Sequence, residues 1–138
     1  MKGIGKGNTM LENLNQANQL ILVVDDDAMN LRMAEFILER EGYIVCKAES
    51  GMECLNYLKD HKPELILLDI EMPVMNGIKT LESIKENPDL ADIPVMFLTA
   101  AADVGTVVEA GNLGVVDYIK KPFMPEELIK RVKSVFGV

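Results

Sequence analysis

The sequence predicts an α/β domain, a three-layer sandwich with a parallel five-stranded sheet between two layers of helices. Three observations carry that expectation. Short, continuously apolar runs alternate with longer stretches whose apolar residues recur at intervals of three and four. Strands that are apolar throughout, rather than at every second residue, are covered on both faces, as parallel strands are. Each apolar run also gives way to a polar residue and a turn, the pattern expected where loops at the carboxyl edge of a sheet carry the chemistry.

Taken in order, residues 20–24 (Leu-Ile-Leu-Val-Val) form the first strand and stop at Asp25-Asp26-Asp27. Residues 27–41 are helical, with Leu31, Ala34, Ile37 and Leu38 on one face, Asp27 in the opening turn and Gly42 as the stop. Residues 43–48 form the second strand, and 50–60 the second helix with Met52, Leu55 and Leu58 inward. Residues 64–69 form the third strand, after which Pro73 and Asn76-Gly77 turn the chain. The third helix covers 78–86 and closes at Asn87-Pro88; the fourth strand covers 94–99. A weak helix follows to about Gly111, because an internal Gly and a β-branched cluster both disfavour it. Residues 115–120 form the fifth strand. The last helix, 125–136, has Pro125 in its first turn and Leu128, Ile129, Val132, Val135 and Phe136 as its apolar stripe. Five β-α units joined by right-handed crossovers give strand order 2-1-3-4-5, a flavodoxin-like (βα)5 arrangement. Residues 1–19, with three early glycines and a run of Asn and Gln, read as a flexible N-terminal tail, and 20–138 as one domain.

A chain of 138 residues fits a single core. No apolar run is long enough to span a membrane and the first residues lack the apolar stretch of a secretory signal, so a cytoplasmic location without membrane contact is expected. Cys46 and Cys54 then read as reduced thiols, and with one His they fit no familiar zinc pattern. The nine methionines read as core fillers. A net charge of −8 argues against direct nucleic-acid binding, since phosphate backbones favour basic surfaces.

The strand order makes the first and third strands neighbours, so their carboxyl ends bring Asp25, Asp26 and Asp69 together. The fourth strand adds Thr99, and Lys121 follows the fifth. Three carboxylates in one crevice repel one another and raise each other's pKa. A hard divalent cation such as Mg²⁺ removes that conflict and prefers oxygen ligands.

These residues carry a resemblance. Val24-Asp25-Asp26, the string Leu68-Asp69-Ile70-Glu71-Met72-Pro73-Val74-Met75-Asn76-Gly77, Leu98-Thr99-Ala100 and Asp117-Tyr118-Ile119-Lys120-Lys121-Pro122-Phe123 together resemble the receiver domain of bacterial two-component response regulators, of the chemotaxis-regulator kind, over residues 20–137. The resemblance implies that Asp69 is phosphorylated by a histidine kinase or phosphotransfer protein. It implies Mg²⁺ held by Asp26, Asp69 and the backbone carbonyl of Glu71, with Asp25 acting largely through water. Lys121 and Thr99 would support phosphoryl transfer, and a cis peptide would fall at Lys121-Pro122. Thr99 and Tyr118 would form the switch pair, and the face of the fourth helix, fifth strand and last helix would meet a downstream protein or output domain. Such a domain is a signalling phosphoacceptor rather than an enzyme. The competing reading is a degenerate receiver that acts as a phosphorylation-independent interaction module. An Asp-nucleophile phosphatase needs a second Asp two residues after the first, where this chain has Glu71. A flavin carrier needs a Gly- and hydroxyl-rich phosphate loop where this chain has three acids.

Overall fold

A computed structural model describes residues 19–100 and 111–137. Its nine described elements are β1 (Leu20–Val24), α1 (Ala28–Glu39), β2 (Ile44–Ala48), α2 (Gly51–Tyr57), β3 (Leu65–Asp69), α3 (Gly77–Glu86), β4 (Val95–Thr99), β5 (Asp117–Lys120) and α4 (Pro125–Phe136). All strand pairs are parallel, in the order β2-β1-β3-β4-β5. The flavodoxin-like arrangement expected from the alternation is therefore present. The tail expected at 1–19, except Gln19, and residues 101–110 of the expected fourth helix lie outside the described residues.

The central strands β3 and β4 are buried along their whole length, which is why they read as unbroken apolar runs. Side chains alternate between two cores. On one face Ile21, Val23, Leu65, Leu67, Met96, Leu98 and Ile119 pack with Leu31, Leu38, Leu128 and Val132 of α1 and α4. On the other, Leu22, Val24, Ile66, Leu68, Val95 and Phe97 pack with Cys54 of α2 and Ile78, Leu81 and Ile84 of α3. At about 25 cal/mol per Å² of apolar surface buried, two such layers supply most of the drive to fold.

Local signals set the helix starts. Asp27 accepts a hydrogen bond from the Met29 amide at 2.8 Å and caps α1, as its place after β1 suggested. Ser50 accepts from the Glu53 amide at 3.0 Å while the Glu53 carboxylate accepts from the Glu49 amide at 2.7 Å, a close variant of the capping box. Asn76 caps α3 by accepting from the Lys79 amide at 2.9 Å. Gly42 adopts φ +96° just beyond α1.

Two sequence expectations are corrected. Met52 is exposed rather than inward; Gly51, Cys54 and Leu58, at helical spacing, form the buried face of this segment, and Met52 lies about 100° round from Gly51. The methionines are only partly core fillers. Met72 and Met96 are buried, but Met29, Met33 and Met124 join Met52 at the surface.

Candidate functional site

The carboxyl edge of the sheet gathers Asp25 from the end of β1, Asp69 from β3, Thr99 from β4 and Lys121 from just past β5. Strand parity orients them. Asp25 and Asp69 share the phase of Val23 and Leu67, so they face the α1/α4 side, whereas Thr99 shares the phase of Val95 and Phe97. The Lys121-Pro122 peptide is cis.

Lys121 Nζ lies 2.8 Å from Asp25 Oδ2 and 3.0 Å from Asp69 Oδ1. Both carboxylates are buried, as is Thr99, while Asp26 is exposed. Asp25 also accepts from the Asp27 amide at 2.9 Å and from Asn30 Nδ2 at 3.3 Å. Burial pushes the Asp69 carboxyl up to about 7; its hydrogen bond to Lys121 works against that rise and the nearby Asp25 charge adds to it. For Lys121, burial opposes the charged form, but the ion pairs with Asp25 and Asp69 outweigh it and hold the ammonium above the ordinary lysine range.

Oxygens of Asp25, Asp26 and Asp69 all lie within 4.8 Å of one another. Two oxygens on one Mg²⁺, each about 2.1 Å from the ion, stand at most about 4.2 Å apart. Oxygens no more than 4.8 Å apart are within about 0.6 Å of that spacing, and the exposed Asp26 leaves one side open to water. The donor set is all oxygen and fits a hard divalent cation.

Backbone packing fixes where Asp69 points. The loop after β3 turns back so that the Gly77 amide donates to the Ile70 carbonyl at 2.9 Å, and the α-carbon of Gly77 lies against the Asp69 peptide. Within that loop the Glu71 amide donates to Asp69 Oδ1 at 3.3 Å. The Glu71 carboxylate reaches across to the end of β4, accepting from Thr99 Oγ1 at 3.2 Å and from the Ala100 amide at 3.2 Å.

Every site residue expected from the sequence stands at this edge except Tyr118, which lies one strand away on β5, opposite Phe97, with its ring exposed. A cavity of about 220 Å³ lined by Ile70, Phe97, Thr99, Val115 and Tyr118 separates it from Thr99. Lys120 is exposed, as expected of a solvated neighbour. Sequence reasoning missed the bonds of the Glu71 carboxylate to Thr99 and Ala100, and the Asn30 amide on Asp25. Neither Glu71 nor Asn30 sits at a strand end, the signal that located the others.

Residues 21–133 match the family model described as the response regulator receiver domain. The chain belongs to this family. Among curated proteins, the receiver is 38% identical to the phosphate regulon transcriptional regulatory protein PhoB of Pseudomonas aeruginosa, over 83% of this chain and 50% of that one. It is likewise 38% identical to the DNA-binding response regulator MtrA of Mycobacterium tuberculosis, over 84% of this chain and 50% of that one. The chain thus spans about half the length of the curated relatives it matches. Among solved structures, the Vibrio cholerae chemotaxis protein CheY4 superposes with a TM-score of 0.81 at 28% identity, covering 85% of this chain and 98% of that one. A response regulator from Chloroflexus aurantiacus gives a TM-score of 0.81 at 32% identity, covering 87% and 98%. The receiver is a signalling domain of the two-component kind. Among the described residues, no helix is long and apolar enough to cross a membrane.

Proposed function

We propose that this receiver accepts a phosphoryl group on Asp69 from a partner histidine kinase or phosphotransfer protein, with Mg²⁺ held by Asp25, Asp26, Asp69 and the backbone carbonyl of Glu71. The observation that carries the reading is the placement of Lys121 between two buried carboxylates, beside a third acid that faces solvent. A structural ion pair needs one acid per lysine. Three acids around one lysine leave negative charge that a proton on Asp69 or a further cation balances, and the exposed side of the cluster is where a cation enters.

In the transfer, an oxygen of the Asp69 carboxylate attacks phosphorus and a new P–O bond forms. The P–N bond of the phosphohistidine breaks, its electron pair remaining on the donor's imidazole nitrogen. Phosphoryl transfer depends on positioning and on charge neutralisation more than on covalent help from the protein. Lys121 supplies one positive charge at Asp69, and Mg²⁺, when bound, supplies the rest. The Thr99 hydroxyl donates a hydrogen bond to the arriving group. The Asp25 bonds to Asn30 and the Asp27 amide hold that carboxylate in place during the exchange.

The response is a change of surface. Drawing Thr99 toward Asp69 enlarges the cavity beneath Tyr118, and the exposed Tyr118 ring rotates in to fill it, a two-state element biased by a local charge. The face altered is that of β5 and α4, and it meets a downstream protein or output domain. Two relatives are transcriptional or DNA-binding regulators by name, but this acidic receiver acts through protein contacts in the cytoplasm rather than on nucleic acid itself. Incubation with Mg²⁺ and acetyl phosphate, followed by intact-mass measurement, tests the reading. One phosphoryl adduct that disappears in Asp69→Asn supports it. An unmodified wild type supports the degenerate interaction module instead.

A further inference from the structure

We propose that the Glu71 carboxylate is the resting occupant of the phosphoryl group's hydrogen-bond donors, so that phosphorylation of Asp69 is an exchange of one anion for another rather than a simple addition. The inference rests on Asp69 as phosphoryl acceptor and adds a role for a side chain that the acceptor chemistry does not use.

The geometry is specific. The Glu71 amide donates to Asp69 Oδ1, so the residue arches over the acceptor carboxylate. Its own two carboxylate oxygens then take separate donors at the end of β4, the Thr99 hydroxyl and the Ala100 amide, each at 3.2 Å. Asp69 pairs in register with Leu98, so these donors belong to the two residues immediately past the acceptor's neighbour. They are the donors on the β4 side of any group attached to Asp69, as Lys121 is on the other. A carboxylate offers two anionic oxygens at a spacing close to that of two phosphoryl oxygens, and it fills both positions.

A phosphoryl group on Asp69 conflicts with this arrangement twice. Its oxygens need the same donors, and its charge repels a fourth carboxylate at a site that already holds three. Glu71 is exposed, so its side chain can leave into water without unpacking anything. The exchange therefore has a low structural cost but a real energetic one, because charge-assisted hydrogen bonds are given up before new ones form. The consequence is a threshold. In the resting protein Thr99 and Ala100 already have an anion, and an incoming phosphoryl group gains only the difference between the two.

Beryllium fluoride with Mg²⁺, which mimics a phosphoryl group on a carboxylate, measures that difference without turnover. Wild type, Glu71→Ala and Glu71→Asp are titrated by NMR, following the Ala100 amide. Glu71→Ala is expected to saturate at about tenfold lower beryllium fluoride, and before any addition its Ala100 amide should lie at a shifted position and exchange faster. Glu71→Asp separates occupancy from charge: it keeps the negative charge but is one methylene too short to reach both donors, so it should follow Glu71→Ala. Equal saturation in wild type and Glu71→Ala overturns the inference, as does weaker binding in Glu71→Ala. A Glu71→Asp variant that behaves like wild type also overturns it, since charge alone would then explain the effect. Failure of all three proteins to bind the mimic, with no phosphoryl adduct from acetyl phosphate, is a different result and removes the acceptor reading of Asp69 itself.

Discussion

Gly77 stands so close to Asp69 that a β-carbon on it would lie 2.3 Å from the Asp69 carbonyl oxygen and 2.8 Å from the Ile70 α-carbon. These are backbone atoms of a buried strand end, so nothing flexible can yield. The glycine is required by close approach, and its effect is to press the loop of residues 70–76 against the acceptor. Gly77→Ala must move the start of α3 or the end of β3. It is expected to lower stability by about 1–3 kcal/mol, seen in urea melts as a lower midpoint with an unchanged slope. Phosphorylation of Asp69 by acetyl phosphate should slow in the same variant, even where it is fully folded. An alanine variant with wild-type stability and rate would mean that the contact is relieved elsewhere.

Among the described residues, Lys121 is the one cation bonded to Asp25 and Asp69, both of them buried. Removing one partner of a buried ion pair leaves uncompensated charge and costs about 3–5 kcal/mol where no proton or ion intervenes. Here Asp69 takes a proton near neutrality, which blunts the loss. Lys121→Ala is therefore expected to destabilise the metal-free protein by about 2 kcal/mol or more at pH 8 and by less at pH 6. Mg²⁺ should raise the melting temperature of the variant more than that of wild type, because it replaces the missing positive charge. Thermal melts with chelator and with Mg²⁺ check both statements, and a variant with unchanged metal-free melting would deny Lys121 any net structural role.

The parts of this molecule that were legible in its sequence are those fixed by strand order. Asp25, Asp69 and Thr99 each close an apolar strand, and Lys121 follows β5, so the alternation that names the strands also places these four at one edge. Element limits were less legible where pairing is one-sided. Val115 and Val116 read as strand, yet β5 begins at Asp117, although the Val116 amide still donates to the Val95 carbonyl at 2.9 Å. Phase was lost in α2, where seven residues are too few to show which apolar ones share a face, and Met52 was placed inward. The partners of the Glu71 carboxylate were not legible at all. Its reach to Thr99 and Ala100 depends on how the loop after β3 folds, and no spacing along the chain encodes that.

The two cysteines should differ sharply in reactivity. Cys54 is fully buried in the core beneath α2, and burial pushes its thiol up to about 12. The thiolate is the reactive form, so Cys54 has almost none of it at ordinary pH. Cys46 on β2 is partly exposed. Iodoacetamide at pH 8 is expected to label native protein once, at Cys46, and to reach Cys54 only after denaturation in urea. Labelling of Cys54 in the native state at a comparable rate would indicate that the α2 layer opens readily.

Asp69 carries a pH dependence whose sign follows from its burial. In the unfolded chain it ionises near 3.8, and in the folded protein near 7. Between those values the folded state keeps a proton that the unfolded chain has released. The stability linked to that proton is fully present below about pH 4 and is lost as pH rises through 7. Asn at this position bears no charge at any pH and lacks the decline. The stability of Asp69→Asn relative to wild type should therefore grow between pH 5 and pH 8, by about 2 kcal/mol, in urea melts with chelator present. The lost ion pair with Lys121 reduces the gain but does not reverse it, since burial outweighs that pairing in setting the pKa. Mg²⁺ should act in the opposite sense. It favours the ionised carboxylate, so it stabilises wild type more at pH 8 than at pH 6 and stabilises the Asn variant far less at either. Parallel stability curves for the two proteins from pH 5 to pH 8 would mean that Asp69 is ionised throughout that range, and that the buried edge of the sheet accommodates its charge at no cost.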